Sequence, residues 1–506
     1  MKDKSMMKHA YLRCALGAAG AVVLLMAQAA HAREWMDVIT SPFADPLFTR
    51  PPELEAGKIL PGDTHAHFCD GSNDLPTRPL TLSDAIDMAL CRNPEVQSAW
   101  AGIKERAAQV GEARAAYLPK LNAGFGQQTQ KTQYPESNFQ VDTDRTNKSR
   151  YVNLTWRLLD FGGREANRRS ANARLEAALA SHDAALQKTM ATVIGLYFEA
   201  QTARANREAK EKNEALAMQT LDTTKKRAAR GAAAQTDTLQ AETSLAKAEL
   251  EHARAIGTDE KSLVALTLAL GLQAPGMDAQ TLSLAADYQD QEMTLRQDLS
   301  DWLRLAQEQH PAVAAARAEW EAAKEQLTAT RSEGLPTLDF TQGKYVNGRP
   351  NQSLSTTQTT ESVLGFSLTI PLFDGFGKTY KVRGAQAQIE IREADFRNIR
   401  NQVLGEVAKA HAEALAALRN LQSSRRLLDA AQSAVEIVQL KYELGVSDIL
   451  EMLNVQAALA DAGQERIRAL SEWRSARLRL LANAGSLGGK DVGIGKPSES
   501  GSPSRN

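Results

Sequence analysis

The sequence predicts a mostly helical fold with a minor β component, internally duplicated: each copy contributes two β-strands and a pair of long helices. Three observations predict this. First, motifs recur in the same order. Asn93-Pro94 returns as His310-Pro311 and Leu118-Pro119 as Leu335-Pro336, both 217 residues later. Leu154-Thr-Trp-Arg-Leu-Leu-Asp160 returns as Leu368-Thr-Ile-Pro-Leu-Phe-Asp374, Arg230-Gly231 as Leu444-Gly445, and Leu270-Gly271 as Ala484-Gly485, each 214 residues later. Such a unit is far longer than a solenoid repeat of about 20–50 residues. Second, short segments in each copy alternate apolar and polar residues. Third, no proline occurs from 136 to 274 or from 372 to 496, where apolar residues recur at coiled-coil steps.

The N-terminus reads as an export signal over residues 1–32. Lys2, Lys4, Lys8 and Arg13 form a charged head, Ala15 to Met26 an apolar stretch, and Ala30-His31-Ala32 a small-x-small cleavage site. Cys14 precedes the apolar stretch, whereas a lipobox would put its cysteine at the end, so cleavage after Ala32 without a lipid anchor is expected. Residues 33–80 carry seven of the 17 prolines and read as an extended arm. Cys69 and Cys91 remain after cleavage, and in an oxidising compartment they read as a disulfide stapling the arm to the first helix. A metal site with His65 and His67 is the alternative, but the spacing matches no compact zinc motif.

The first repeat spans 81–290 and the second 291–485. In the first, Leu82-Ser83-Asp84-Ala85 opens a helix, with Ser83 as its N-cap, running toward Tyr117. Its counterpart covers about Ser300 to Ser332, and Pro94 and Pro311 kink or restart these helices. Pro119 and Pro336 usher in the strands. Leu121, Ala123 and Phe125 alternate with polar or small residues, as do Val152, Leu154, Trp156 and Leu158 after a polar stretch. In the second copy Leu338 and Phe340 alternate, then Leu364, Phe366, Leu368, Ile370 and Leu372. The expected strands are 119–133, 148–161, 336–347 and 361–373. Of 27 aromatic residues, 13 fall within 117–161 and 335–380, where membrane-interface girdles would require them.

Long helices follow at 164–230 and 378–444. Leu175, Leu179, Leu186, Met190, Val193 and Tyr197 keep steps of 3, 4 or 7 residues, and Ile389, Phe396, Val403 and Val407 continue the pattern in copy two. At 1.5 Å per residue such a helix spans about 100 Å, a length a single globular domain has no use for. Gly231 and Gly445 end these helices at a turn, and return helices run over 233–270 and 447–484. Residues 486–506 read as a disordered tail.

Four amphipathic strands cannot close a membrane barrel, since the smallest have about eight, and open edges are not tolerated in lipid. Strands that enter a membrane must therefore be pooled from several copies of the chain, and periodicity does not choose among two, three or four. The alternative is an exported soluble coiled-coil protein with a small sheet. Net charge is −1, giving no basic field for nucleic acid, and eight histidines are few for metal or acid–base chemistry. Asp160-Phe161-Gly162 lacks the partners of a kinase site, and the Gly-Lys pairs near the C-terminus lack the Ser or Thr of a P-loop.

Leu-Pro at the strand starts, Leu-Thr-x-x-Leu-x-Asp at the strand ends, and glycines at the helical turns resemble the TolC family of outer-membrane efflux and secretion proteins over residues 80–485. The resemblance implies a homotrimer in the outer-membrane lipid: a shared 12-stranded β-barrel continued by a 12-helix α-barrel through the periplasm. It implies no catalysis and no cofactor. The chain would be a passive duct recruited through a periplasmic adaptor by an inner-membrane pump. Ala89-Leu-Cys-Arg-Asn-Pro94, the paired cysteines and the lack of a lipid anchor resemble the branch serving type I secretion of toxin-like proteins with an ABC transporter. Small-molecule efflux with an RND-type pump is the alternative.

In the resembled pattern a tyrosine precedes the second turn glycine by three residues and acidic residues follow it by six and nine. Tyr442 and Glu451 match, while Asn454 departs; in copy one Asp237 stands six after Gly231. The resemblance thus implies a cation-selective periplasmic gate of Asp237, Glu451 and Tyr442, with Gly231 and Gly445 at the tip. The bland alternative is that these are solvated helix residues beside turns whose glycines supply positive φ.

Overall fold

Proline sets where the first helices of each repeat break. In a computed structural model describing residues 45–56, 78–132, 143–231, 233–272, 283–285, 295, 298–347 and 359–488, α1 (Leu82–Arg92) ends at Asn93 and α2 (Pro94–Ala115) restarts at Pro94. The Asn93 side chain accepts a hydrogen bond from the Glu95 amide at 2.8 Å, so one residue closes α1 and caps α2. The N-cap of α1 is Thr81, not Ser83. Its hydroxyl accepts from the Asp84 amide at 3.2 Å, and Asp84 Oδ2 accepts from the Thr81 amide at 3.2 Å, a reciprocal capping box.

The chain continues through β1 (Lys120–Thr132), β2 (Thr143–Leu159), α3 (Gly163–Ala229) and α4 (Gln235–Ala269). The second copy repeats this with α5 (Leu299–Gln309), α6 (Pro311–Ser332), β3 (Thr337–Val346), β4 (Thr360–Thr369), α7 (Gly377–Glu443) and α8 (Ile449–Asn483). Both long helices have 67 residues and both return helices 35. At α6, His310 Nδ1 accepts from the Ala312 amide at 3.2 Å, a role open only to the neutral ring; burial pushes the His310 pKa down.

The strands form one antiparallel sheet in the order β1-β2-β3-β4, and the helices that enter and leave the strands neighbour one another in the same order, α2 on α3, α3 on α6 and α6 on α7. α2 and α4 both pack against α3, α6 packs between α3 and α7, and α8 packs against both long helices. Thus α2 and α4 share one row and α6 and α8 another. The rows meet midway: Gly271, at the end of α4 with φ +71, lies against the Arg92 backbone, and Gly485, at the end of α8 with φ +73, lies against His310 and Pro311. A Cβ at Gly485 would stand 3.0 Å from His310 Cα, so the residue must be glycine for both conformation and space.

The largest apolar cluster collars this midpoint. Leu80, Ile86, Met190, Ile194, Tyr197, Phe198, Leu266, Leu270 and Leu478 are buried there. Leu80 pairs with the chain near Leu284 between the repeats, donating to the Ser283 carbonyl at 2.7 Å, and Tyr197 donates to the Leu80 carbonyl at 3.0 Å. A second cluster runs between α5, α7 and α8 around Trp302, Val407, Leu421 and Trp473. No helix among the described residues is long and apolar enough to cross a membrane. The predicted signal (1–32), Cys69, and residues 489–506 of the predicted tail lie outside the described residues. Cys91 is disulfide-bonded.

Candidate functional site at the two ends of the helical wall

Pro119 and Pro336 immediately precede β1 and β3, where a residue without an N–H costs no ladder bond. From there the register puts Leu121 opposite Leu154, Trp156 opposite Phe340, and Phe340 opposite Phe366. With Val152, Leu338, Leu364 and Leu368 these residues make one apolar face across all four strands. Phe125 is 89% exposed, Leu364 71% and Phe366 70%, so none of the described residues covers it. The opposite face is polar: Arg157 donates to both carboxylate oxygens of Asp339 (2.9 and 3.3 Å), and Tyr151 stacks on Tyr345 with centroids 6.0 Å apart. Among the described residues β1 pairs only with β2 and β4 only with β3, leaving two open edges. Apolar outside, polar inside and unclosed is the pattern of a segment of a larger membrane barrel.

Below the sheet, Trp156 Nε1 donates to the Tyr117 carbonyl at 2.9 Å, Tyr117 Oη to Glu165 at 2.8 Å, and Arg164 lies 4.9 Å over the Tyr117 ring. Arg168 and Tyr117 together hold the Glu165 carboxyl down to about 2. This cluster ties the strand end to the first turn of α3.

At the far end, Gly231 (φ +70) and Gly445 (φ +78) supply the left-handed residue that ends α3 and α7. Val446 N donates to the Lys441 carbonyl at 2.9 Å and Gly445 N to Tyr442 at 3.1 Å, closing the α7 terminus. The next turn of each hairpin begins with a predicted acidic residue. Asp237 Oδ2 accepts from the Ala234 amide at 3.1 Å, so it caps its own helix. Glu451 is exposed, accepts from the Ser447 hydroxyl at 2.5 Å, and its amide donates to Asp448 at 2.7 Å. Asn454 is exposed one turn further on.

Tyr442 is buried between the hairpins, in a small apolar cluster with Val438, Ile449 and Met452. Its hydroxyl lies 3.2 Å from Thr224 Oγ1, Arg227 Nη1 donates to its carbonyl at 2.5 Å, and the Arg227 guanidinium sits 4.5 Å over its ring. Gln456 Nε2 adds a bond to Thr220 Oγ1 at 3.1 Å. Arg227, Thr224 and Gln456 were not anticipated from sequence. The signal available was the 3–4 spacing of Val435, Val438 and Tyr442, which points the tyrosine at a neighbouring helix without naming its partner. Among the described residues no three His, Cys, Asp or Glu side chains are grouped to hold a metal.

Comparison with known proteins places this geometry. The model of the family described as outer membrane efflux protein matches residues 85–272 and 302–486, one match per repeat. The chain is 34% identical to Protein CyaE of Bordetella pertussis over 422 residues, 83% of this chain and 87% of that one. It is 25% identical to the alkaline protease secretion protein AprF of Pseudomonas aeruginosa, covering 82% and 86%. Among solved structures, the CmeC outer membrane channel of Campylobacter jejuni superposes with a TM-score of 0.70 at 16% identity, covering 85% of this chain and 96% of that one, and so shares the fold.

Proposed function

Because the chain belongs to the outer membrane efflux protein family, we propose that it is the passive exit duct of a tripartite export system whose cargo is a protein. It is an outer-membrane channel protein with its helices in the periplasm. The observation that carries the duct is the open-edged sheet, apolar on one face and polar on the other, running directly into helices of 67 residues. Three copies would close 12 strands into a barrel and line the helical walls into a tunnel. The distal turns would meet a periplasmic adaptor that recruits an inner-membrane ABC transporter. Asp237 and Glu451, repeated around the axis, would favour cations at the mouth, and Tyr442 would hold the hairpins together.

Protein cargo is supported by the similarity to AprF, a protein named for alkaline protease secretion. Small-molecule efflux through an RND-type pump is the second reading, favoured by the family's own description. Deleting the gene separates them. Loss of a protein from the culture supernatant without drug sensitisation supports secretion; drug sensitisation with an unchanged supernatant overturns it.

A further inference from the structure

Ahead of the first repeat, residues 45–54 make a loop that is fixed onto the last turns of α2. The Asp45 carboxylate accepts from the Thr49 amide at 2.7 Å, the Arg50 amide at 2.9 Å and the Thr49 hydroxyl at 3.1 Å. Arg114 Nη1 donates to the Leu47 and Phe48 carbonyls at 2.7 and 2.8 Å, and Thr49 is buried beside Gly111. These bonds hold one side chain away from the protein. Phe48 has φ +52, a left-handed conformation that residues other than glycine rarely adopt, and it is 86% exposed. A single exposed apolar residue is ordinary, but one whose backbone is bonded into an unfavourable conformation is being presented to something.

Height and side together identify the surface it meets. α2 rises toward the strands, and Arg114 lies three residues, about 5 Å of helix, below Tyr117. The junction of strands and helices just above is lined by exposed apolar side chains, among them Leu118, Phe161, Phe373 and Phe376. Each headgroup layer of a bilayer is about 5–8 Å thick outside the hydrocarbon core. With the apolar sheet face in that core, Phe48 falls in the headgroup layer on the helix side. As to side, Gln97 donates to the Cys91 carbonyl of α1 at 3.2 Å. Gly111 follows Gln97 by fourteen residues, close to four full turns, so α1 and the loop share one face of α2. α1 belongs to the collar at the midpoint, which would obstruct a duct if it stood inside, and the loop is therefore on the outer surface. The edge of α2 left for a neighbouring copy is a different one. It carries Glu105 and Ala108, the counterparts 217 residues earlier of Ala322 and Glu325, which bond Ser170 and Arg169 of α3. Gly111 lies about a quarter turn round the helix from that edge.

We infer that this loop is a peripheral membrane anchor: Phe48 sets its ring among the phospholipid headgroups and upper acyl chains of the periplasmic leaflet, tying the segment ahead of the first repeat to the bilayer. This rests on the reading of the sheet as membrane-embedded, and the test keeps the two apart. The full-length assembly is reconstituted in phosphatidylcholine vesicles, with and without lipid brominated just below the headgroup. The tryptophan emission added by Phe48→Trp is read as the difference from the unaltered protein. Leu368→Trp, on the apolar sheet face near its helix end, is read in the same way. Brominated lipid should quench both additions about twofold or more. Quenching of Leu368→Trp alone overturns the anchor and leaves the membrane sheet standing. That result includes a ring shielded by a neighbouring copy or by another protein, whose emission would be blue-shifted in detergent and unmoved by brominated lipid. Quenching of neither overturns the sheet reading and the anchor with it.

Discussion

Arg227 of the first repeat grips Tyr442 of the second from two sides, with its guanidinium 4.5 Å over the ring and Nη1 donating to the tyrosine carbonyl at 2.5 Å. The hydroxyl of the same tyrosine meets Thr224 at 3.2 Å. These contacts join α3 to α7 one turn before both hairpins reverse, so loosening them should free the distal end. Tyr442→Phe removes one hydrogen bond worth about 0.5–1.5 kcal/mol and should raise channel opening roughly threefold to tenfold. Arg227→Ala removes the stacking and the carbonyl bond together and should open the channel further. Single-channel recording checks both; openings as rare as in the unaltered protein would remove this contact from the closed state.

Glu451→Gln and Asp237→Asn should each lower the preference for cations over anions, measured as a reversal-potential shift in a salt gradient. The neutral side chains keep their size, and the bond that the Glu451 amide donates to the Asp448 carboxylate does not depend on the Glu451 charge. An unchanged reversal potential would return these residues to the solvated surface.

Glycines at the wall should respond with opposite signs. Gly485→Ala meets a positive φ and a 3.0 Å approach to His310, costing about 1–2 kcal/mol from conformation alone. Gly257→Ala, inside α4 with no atom within 4 Å of the new methyl, should gain roughly 0.5–1 kcal/mol. Thermal unfolding followed by circular dichroism should order them Gly257→Ala, unaltered, Gly485→Ala.

Two carboxylates should set opposite pH dependences. Burial pushes the Asp259 carboxyl above the ordinary aspartate range despite Arg207. Its proton is held more tightly in the folded state, so the folded state is favoured below the unfolded pKa and loses that advantage as pH rises through the folded value. Asp259→Asn should therefore raise the melting temperature at pH 7.5, with the gain disappearing below about pH 3.8. Glu165, held down to about 2, stabilises the fold above the unfolded carboxylate pKa, and that contribution fades as pH falls toward about 2. Glu165→Gln should thus lose stability at neutral pH and approach the unaltered protein in acid.

The repeat, the proline-free helices and the one-sided apolar alternation were legible because each depends on local pattern: Leu364, Phe366 and Leu368 announce a strand face without any tertiary partner. The start of β2 was less legible. Residues 143–149 are polar throughout and join the strand only because their backbone completes the ladder with β1. Ser83 looked like a cap because it precedes an apolar run, but the reciprocal Thr81–Asp84 bonds decide the boundary. The polar pairings between α3 and α4 were invisible for a different reason. Arg207, Lys210 and Glu214 are ordinary polar helix residues until the return helix sets Asp259, Glu251 and His252 against them.

The central claim is that one chain supplies a sector of a shared, closed membrane barrel. Native mass spectrometry of the protein extracted from membranes in detergent tests this most directly. The account predicts one species of three copies, recovered from the outer-membrane fraction and absent from the periplasmic one. A monomer in the soluble periplasmic fraction, with both sheet edges left open, would contradict it.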